Sequence, residues 1–254
     1  MKLHPGRFAL TAGLVLWAAI PGFLPTLVDA QQPRRPGIGE NDPRVRVDVD
    51  QMPWRNLGKL QVASQRVRLA CTGSLVGSNL VLTAAHCLFN ARTGMYFAAN
   101  DMHFLVAFNR GNQAAHARVV RFETGTGYDP WKPAESRGSD WALLTVDAAY
   151  GEERMLGVRD NPLPVGSQVM VGGYNEDQSF TITADTECKI VDYVRDPADK
   201  LMLRHNCTAT RGVSGAPVLY FDGADWLVAG VNVAAPAGVA GGVAVIPLDI
   251  RRRM

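Results

Sequence analysis

The chain has 254 residues, of which 47% are hydrophobic and 20% are charged, and its formal net charge is +2. The hydrophobic fraction is that of a folded protein and is too high for a disordered one. The near balance of charges argues against nucleic-acid binding, which would need a strong basic excess. Four cysteines are too few for a small disulfide-rich scaffold, so a hydrophobic core must hold the fold, in one or two domains.

The first 30 residues have the layout of a secretory signal peptide. Lys2 and Arg7 form a basic start, residues 8–20 are uncharged and mostly apolar, and Ala30 ends a segment that resembles a cleavage site. The apolar run of 13 residues is shorter than the roughly 20 that a membrane-spanning helix needs. We therefore predict export to a secreted or periplasmic location, with no stable membrane insertion after the signal is removed.

Export places the four cysteines where disulfides persist. Four cysteines allow three pairings, and free thiols are the alternative. Cys71 and Cys87 are 16 residues apart, and Cys188 and Cys207 are 19 apart. We favour these two local pairs.

Residues 31–50 differ in composition from the rest of the chain that follows the predicted signal peptide. They are polar, contain three prolines and show no hydrophobic periodicity, which is typical of an exposed leader, pro-segment or linker. Residues 51–254 instead contain short runs rich in Val, Leu, Thr and Tyr, bounded by Gly, Asn, Asp or Pro. Such runs predict an all-β sandwich or barrel rather than βαβ units.

Three segments carry candidate chemistry, of which the first contains a histidine and the second an aspartate. His86 directly precedes Cys87, whose disulfide to Cys71 would hold the imidazole at a fixed angle, as a general base requires. Asp140 directly precedes the apolar residues 141–144. A carboxylate there can fix the tautomer of an imidazole, although an aspartate that ends a turn is the commoner explanation for the motif alone.

The third segment contains a candidate nucleophile. Ser214 lies within residues 211–217, where Gly212 permits the backbone angles of a tight turn and Gly215 leaves room for a substrate. A serine hydroxyl needs a base to react, and backbone N–H groups must converge on the oxyanion. An ordinary Gly-Ser loop is the alternative for this segment by itself.

Taken together, His86, Asp140 and Ser214 follow one another in the order base, acid, nucleophile. In this the chain resembles the trypsin/chymotrypsin-like serine peptidase family, and the order differs from that of α/β-hydrolases and subtilisins. The resemblance is carried by Cys71 to Val76, Thr83 to Cys87, Asp140 to Leu144 and Gly212 to Pro217. Pro53 to Gly58 and Gly172 to Asn175 are more similar to the bacterial, glutamyl-endopeptidase-like branch.

The resemblance implies two packed antiparallel six-stranded β-barrels with the active site in the cleft between them. It also implies a serine endopeptidase that acts through an acyl-enzyme, with an oxyanion hole made by the N–H groups of Gly212 and Ser214. Thr208 would form the uncharged base of the specificity pocket, and Asn232 its wall, where the glutamyl branch has a histidine. Arg211 would either lie at the mouth of the pocket or be a solvated loop arginine. A non-catalytic binding or adhesion module on the same scaffold is the alternative function.

The residue spacing and the resemblance together set the expected ligands and partners. The five histidines show no metal-ligand spacing such as HExxH, so we expect no metal ion, and we expect no cofactor. The partner would be a peptide or protein substrate, with no nucleic acid, and the protein would be a monomer.

Overall fold

The structure is a computed structural model that describes residues 35–62, 70–159, 161–246, 248, 250 and 253–254. These residues form β-strands and short 3-10 helices, with no α-helix among them. The strands are β1 (Val45–Arg46), β2 (Leu57–Val62), β3 (Ala70–Gly77), β4 (Leu80–Thr83), β5 (Phe89–Asn90), β6 (Met95–Tyr96), β7 (Met102–Val106), β8 (Ala115–Thr124), β9 (Ala142–Val146), β10 (Gly157–Val158), β11 (Gln168–Gly173), β12 (Thr183–Arg195), β13 (Leu201–His205), β14 (Pro217–Phe221), β15 (Trp226–Ala234) and β16 (Gly242–Val245). The 3-10 helices are Trp54–Asn56, Ala85–Leu88, Ala99–Asp101, Arg137–Ser139, Glu152–Arg154 and Glu176–Gln178.

The predicted signal peptide, residues 1–30, lies outside the described residues, so it stays a prediction. Within the described ranges, no helix is both long enough and apolar enough to cross a membrane.

The first barrel is built from β2, β3, β4, β9, β8 and β7, which pair antiparallel in that order and close on themselves. The ring of Phe104 is fully buried in its core. A Cβ at Gly58 would lie 2.4 Å from Cζ of this ring, and a Cβ at Gly73 would lie 3.1 Å from its Cε2. The two glycines therefore leave the space that one large aromatic side chain fills.

The second barrel is built from β12, β11, β14, β15, β16 and β13, and the pairing of β13 with β12 closes it. Its core includes the buried side chains of Val171, Leu203 and Val218. Two strands lie outside the closed ring: β1 pairs with the start of β12, and β10 runs parallel to β15. The predicted architecture of two antiparallel six-stranded β-barrels is confirmed.

Thr72, on β3, joins the two barrels. Its N–H donates to the carbonyl of Ser214 and its Oγ1 donates to the carbonyl of Gly212, both at 2.9 Å. The same Oγ1 accepts from the N–H of Tyr174 at 3.1 Å, and the Thr72 carbonyl accepts from Oγ1 of Thr83 at 2.8 Å. Because Thr72 is fully buried, these four bonds are what allow its polar groups to leave water.

Part of the segment expected to be an exposed leader is packed instead. The N–H of Gly37 donates to the carbonyl of Pro236 at 2.7 Å. The guanidinium of Arg44 donates two hydrogen bonds to Asp177, at 2.7 and 3.1 Å, and its side chain is only 1% exposed. Gly37 and Arg44 therefore contact the second barrel, while the role of residues 31–50 as a leader, pro-segment or linker stays a prediction.

Both favoured disulfides are formed. Cys71 is bonded to Cys87, and Cys188 is bonded to Cys207. The first pair links β3 to the 3-10 helix that contains His86, and the second links β12 to the segment after β13. No described cysteine is free.

Removal of the second disulfide should lower stability. The double change Cys188→Ala with Cys207→Ala opens a loop with a sequence separation of 19 and should lower the free energy of unfolding by about 3 kcal/mol, because the unfolded chain regains conformational entropy. Urea denaturation of the purified, disulfide-bonded protein measures the difference. Met95→Ala, at an exposed side chain, is the control and should change stability by less than about 0.5 kcal/mol. A loss below about 1 kcal/mol in the double variant would contradict the entropic account.

Candidate active site

His86 and Asp140 are joined by two hydrogen bonds. The 3-10 helix Ala85–Leu88 follows β4 and carries His86, whose backbone N–H donates to Oδ1 of Asp140 at 2.9 Å. The Nδ1 atom of the ring lies 2.7 Å from Oδ2 of the same carboxylate. Since carboxylate oxygens only accept, Nδ1 carries the proton and Nε2 is left as the acceptor. The ring is therefore in the tautomer that a general base needs.

The carboxylate of Asp140 also sets the charge preference of the imidazole. Burial by itself lowers the pKa of His86, but the negative charge of Asp140 and its hydrogen bond outweigh burial and hold the pKa above its ordinary value. The His86 side chain remains 33% exposed, whereas that of Asp140 is 5% exposed. The site thus has a partly exposed imidazole and a shielded carboxylate that stabilises the protonated ring.

The hairpin between β12 and β13 holds the loop that precedes Asp140. Oδ2 of Asp196 accepts a hydrogen bond from the N–H of Gly138 at 2.8 Å, and Asp196 is itself buried. The ammonium of Lys200 donates to Oγ of Ser139, the residue directly before Asp140. A turn of the second barrel therefore positions an acid that belongs to the first.

Two glycines with positive φ shape the turn around Ser214. Gly212 has φ +90° and Gly215 has φ +83°. A Cβ at Gly212 would lie 2.1 Å from the carbonyl oxygen of Tyr174, and one at Gly215 would lie 2.1 Å from Oγ1 of Thr83. Only glycine fits both positions, and the close approach to Thr83 brings the Ser214 turn against the strand that leads to His86.

The N–H groups of this turn fall into two sets. Those of Val213, Gly215 and Ala216 donate to nearby carbonyls at 2.8–3.2 Å. No described residue accepts a hydrogen bond from the N–H of Gly212 or Ser214. These two N–H groups, to which the resemblance assigned an oxyanion hole, are thus available to a ligand.

The hydroxyl of Ser214 makes no hydrogen bond to His86 within the described residues. In unliganded enzymes this contact is often long and tightens when substrate binds. The two residues are nevertheless neighbours through the first disulfide, because Sγ of Cys87 lies 3.8 Å from the carbonyl oxygen of Ser214.

A chain of buried hydrogen bonds ends at the peptide unit before Ser214. The N–H of Cys207 donates to Nδ1 of His205 at 3.2 Å, which leaves Nε2 of that ring to donate to Oδ1 of Asn232 at 3.1 Å. The amide nitrogen of Asn232 then donates to the carbonyl of Val213 at 3.3 Å. That carbonyl shares its planar peptide with the N–H of Ser214, so the chain fixes the direction in which this N–H points.

Burial dominates the electrostatics of His205. It lowers the pKa of His205 to about 4, despite the hydrogen bond from the ring to Asn232 and the negative charge of Asp185, both of which act to raise it. The ring is therefore neutral near pH 7, as its role of accepting one hydrogen bond and donating another requires.

The predicted pocket residues are placed differently from one another. Arg211, Ser214 and Asn232 line one open cavity of about 300 Å³. Thr208 lies outside that lining; it is buried, and its N–H donates to Asp185 at 2.8 Å. Pro36 also lines the cavity, and sequence reasoning missed it because its polar surroundings predicted a solvated tail.

His205 was also missed as a contributor to the site. His205 lies two residues before a disulfide cysteine, and the sequence holds no signal for its contact with Asn232. That contact arises from the pairing of β13 with β16 and of β16 with β15.

One group of residues has the geometry of a metal site without its chemistry. Ligand atoms of Cys71, His86 and Cys87 lie within 4.8 Å of one another. Both sulfurs are used in the disulfide, so neither can supply a thiolate.

A family model and one related protein match parts of this chain. Residues 71–231 match the family described as the trypsin-like peptidase domain. The serine protease SP24D of Anopheles gambiae is 27% identical over 169 residues, which are 59% of this chain and 58% of that relative. The match therefore spans less than two thirds of the relative's length.

Two solved structures share the fold. The structure of a Glu endopeptidase in complex with MPD superposes with a TM-score of 0.70 at 17% identity, covering 85% of this chain and 95% of that one. The protease Anisep from Arthrobacter nicotinovorans has a TM-score of 0.60 at 17% identity, covering 77% of this chain and 91% of that one. At this level of identity the likeness shows the fold alone.

Stability should fall as the pH drops from about 6.5 to about 4. The unfolded chain protonates His205 near its ordinary pKa of 6.5, whereas the folded chain does so only near 4, so protons favour unfolding in this window. Above pH 6.5 the full contribution of the neutral, buried His205 to the free energy of unfolding is retained, and it is on the order of 3 kcal/mol. Urea denaturation at several pH values should show this slope in the unaltered protein and a reduced slope in His205→Gln. Equal slopes would contradict the assignment.

Proposed function

Because this chain belongs to the trypsin-like peptidase family, we propose that it is an exported serine endopeptidase that cleaves peptide bonds through an acyl-enzyme. Ser214 is the nucleophile, His86 the general base and acid, and Asp140 the residue that orients the imidazole. The observation that carries the proposal is the double hydrogen bond of Asp140 to the ring and backbone of His86, in a segment packed against the Ser214 turn.

The first half of the reaction forms the acyl-enzyme. Oγ of Ser214 attacks the scissile carbonyl while Nε2 of His86 takes its proton, and the charge of Asp140 favours the imidazolium that results. The carbonyl oxygen becomes an oxyanion, which accepts hydrogen bonds from the N–H groups of Gly212 and Ser214. The imidazolium then gives its proton to the amine, which leaves.

The second half returns the enzyme to its starting state. A water molecule loses a proton to Nε2 of His86 as it attacks the acyl carbon, and the oxyanion forms again. When the tetrahedral intermediate collapses, Oγ of Ser214 takes the proton back and the carboxylic acid product leaves. No cofactor enters either half.

The proposed location rests on the disulfides. Cys71–Cys87 and Cys188–Cys207 would be reduced in most cytosols, and they persist in secreted and periplasmic proteins. Together with the signal-like residues 1–30, they support an exported enzyme whose mature part includes the barrels.

The substrate preference that we propose is for an acidic side chain next to the scissile bond, as in the glutamyl-endopeptidase-like branch. Arg211 lines the cavity that contains Ser214, and its side chain is 73% exposed. Its only described acidic neighbour is Glu176, at 4.0 Å, which also pairs with Arg35 at 2.8 Å. The Arg211 guanidinium is thus available to a substrate carboxylate.

The nucleophile is tested by substitution and by labelling. Ser214→Ala should lower peptide hydrolysis by at least about 10⁴-fold, since the triad acts as a unit, and should leave the circular dichroism spectrum unchanged. An organofluorophosphate should modify Ser214 alone, as mass spectrometry of the labelled peptide can determine. The control is Ser78→Ala, away from the candidate site, which should retain full activity. A correctly folded, disulfide-bonded protein that neither hydrolyses peptides nor takes up the label would favour a non-catalytic binding module.

The role of Arg211 is tested with a matched pair of peptides that differ only in Glu or Gln next to the scissile bond. Arg211→Gln should lower the preference for Glu about 5- to 10-fold in kcat/KM, because an exposed pair of charges contributes about 1 kcal/mol. Arg121→Gln, an exposed arginine of the first barrel paired with Glu123, should not change the preference. An unaltered Glu-to-Gln ratio in Arg211→Gln would contradict the assignment.

A further inference from the structure

A second cavity lies beside the one that contains Ser214. Its volume is about 430 Å³, and it shares Ala234 and Ala235 with its neighbour. Arg137 contributes from the loop that leads to Asp140, and Arg204 contributes from β13. The cavity therefore lies where the two barrels meet, and both of its cationic side chains belong to elements that also position the candidate active site.

The charges in this cavity are unbalanced. Arg137 is partly buried, and its guanidinium makes no hydrogen bond or ion pair with any described residue. Nη1 of Arg204 lies 3.8 Å from Asp192, beyond hydrogen-bond distance, in a pair whose side chains are both more than half exposed. No described aspartate or glutamate lines the cavity. A partly buried cation without a counter-ion has a desolvation cost that an anionic ligand would offset.

The remaining walls are mostly apolar. Val191, Val239 and Pro236 line the cavity together with the shared alanines. A site of this composition suits a ligand whose methylene groups contact the walls and whose end carries a negative charge. Glutamate and aspartate side chains have this form.

We propose that this cavity binds a second acidic side chain of the peptide substrate, at a position other than the residue next to the scissile bond. The inference rests on the proposed peptidase function. An extended peptide advances about 3.3 Å per residue, so a chain whose scissile carbonyl lies at Ser214 reaches past the shared wall within a few residues. The same polypeptide thus supplies the anion, and the enzyme selects substrates with two acidic residues near the cleavage site.

The test compares peptides that carry Glu or Gln, one position at a time, at every position within four residues of the scissile bond. We expect one position besides the residue next to that bond to favour Glu about 5- to 20-fold in kcat/KM at low ionic strength, chiefly through KM. The preference should shrink as salt is added, because exposed charges are screened.

Two variants link this preference to the cavity. Arg137→Gln should bring the Glu-to-Gln ratio at that position close to 1, and Arg204→Gln should lower it in part, which keeps the test usable if one variant folds poorly. Arg121→Gln is the matched control, because Arg121 is an exposed arginine outside both cavities, and it should leave the ratio unchanged.

The outcomes separate this inference from the proposed function. If the unaltered protein hydrolyses no peptide in the set, the peptidase function fails and the inference fails with it. Hydrolysis without a second Glu preference overturns the inference alone. So does a preference that survives in both variants. If Arg137→Gln lowers the rates of the Glu and Gln peptides by the same factor, Arg137 acts on the Asp140 loop rather than on substrate, and the inference is again overturned.

Discussion

The hydrogen bonds of Thr72 are the constraint on which the candidate site depends. This one buried residue binds the carbonyls of Gly212 and Ser214 and accepts from Tyr174, all of which belong to the second barrel. Its neighbour Cys71 is bonded through the disulfide to the segment that contains His86. The base and the proposed nucleophile are therefore both held by the same short stretch of β3. A shift of one barrel relative to the other would leave buried polar groups unpaired.

The rest of the site follows the same pattern, in which one barrel fixes a group that the other carries. Asp196 and Lys200 of the second barrel hold the loop before Asp140. Within the second barrel, the contact of His205 with Asn232 fixes the peptide unit before Ser214. Preorganised dipoles and a base of fixed tautomer are what acyl transfer requires, because reorientation during the reaction would raise the barrier. The fold thus supplies rigidity at the points where the proposed chemistry needs it.

Short sequence motifs made much of the candidate site predictable. His86, Asp140 and Ser214 each lie in a segment whose neighbours have a chemical reason to be there, and the local spacing of the cysteines favoured the two pairs that form. The alternation of short apolar runs and turn residues predicted an all-β fold, and the resemblance supplied its division into two barrels. By contrast, the polar composition of residues 31–50, which predicted an exposed leader, pro-segment or linker, did not predict that Arg44 pairs with Asp177, 133 residues away, as well as with the nearby Asp42.

The sequence by itself determined which reactive groups the chain contains, their order and the class of secondary structure that carries them, because these depend on residue type and on neighbours a few positions away. Only the tertiary structure decided that Pro36 lines the Ser214 cavity, that His205 is a buried neutral ring bonded to Asn232, and that Arg137, which pairs with no described residue, lines a second cavity. Closing a β-barrel joins strands through register and bulges that no single segment encodes, so residues such as Thr72 and Gly212, 140 positions apart, become partners only when the whole chain has folded.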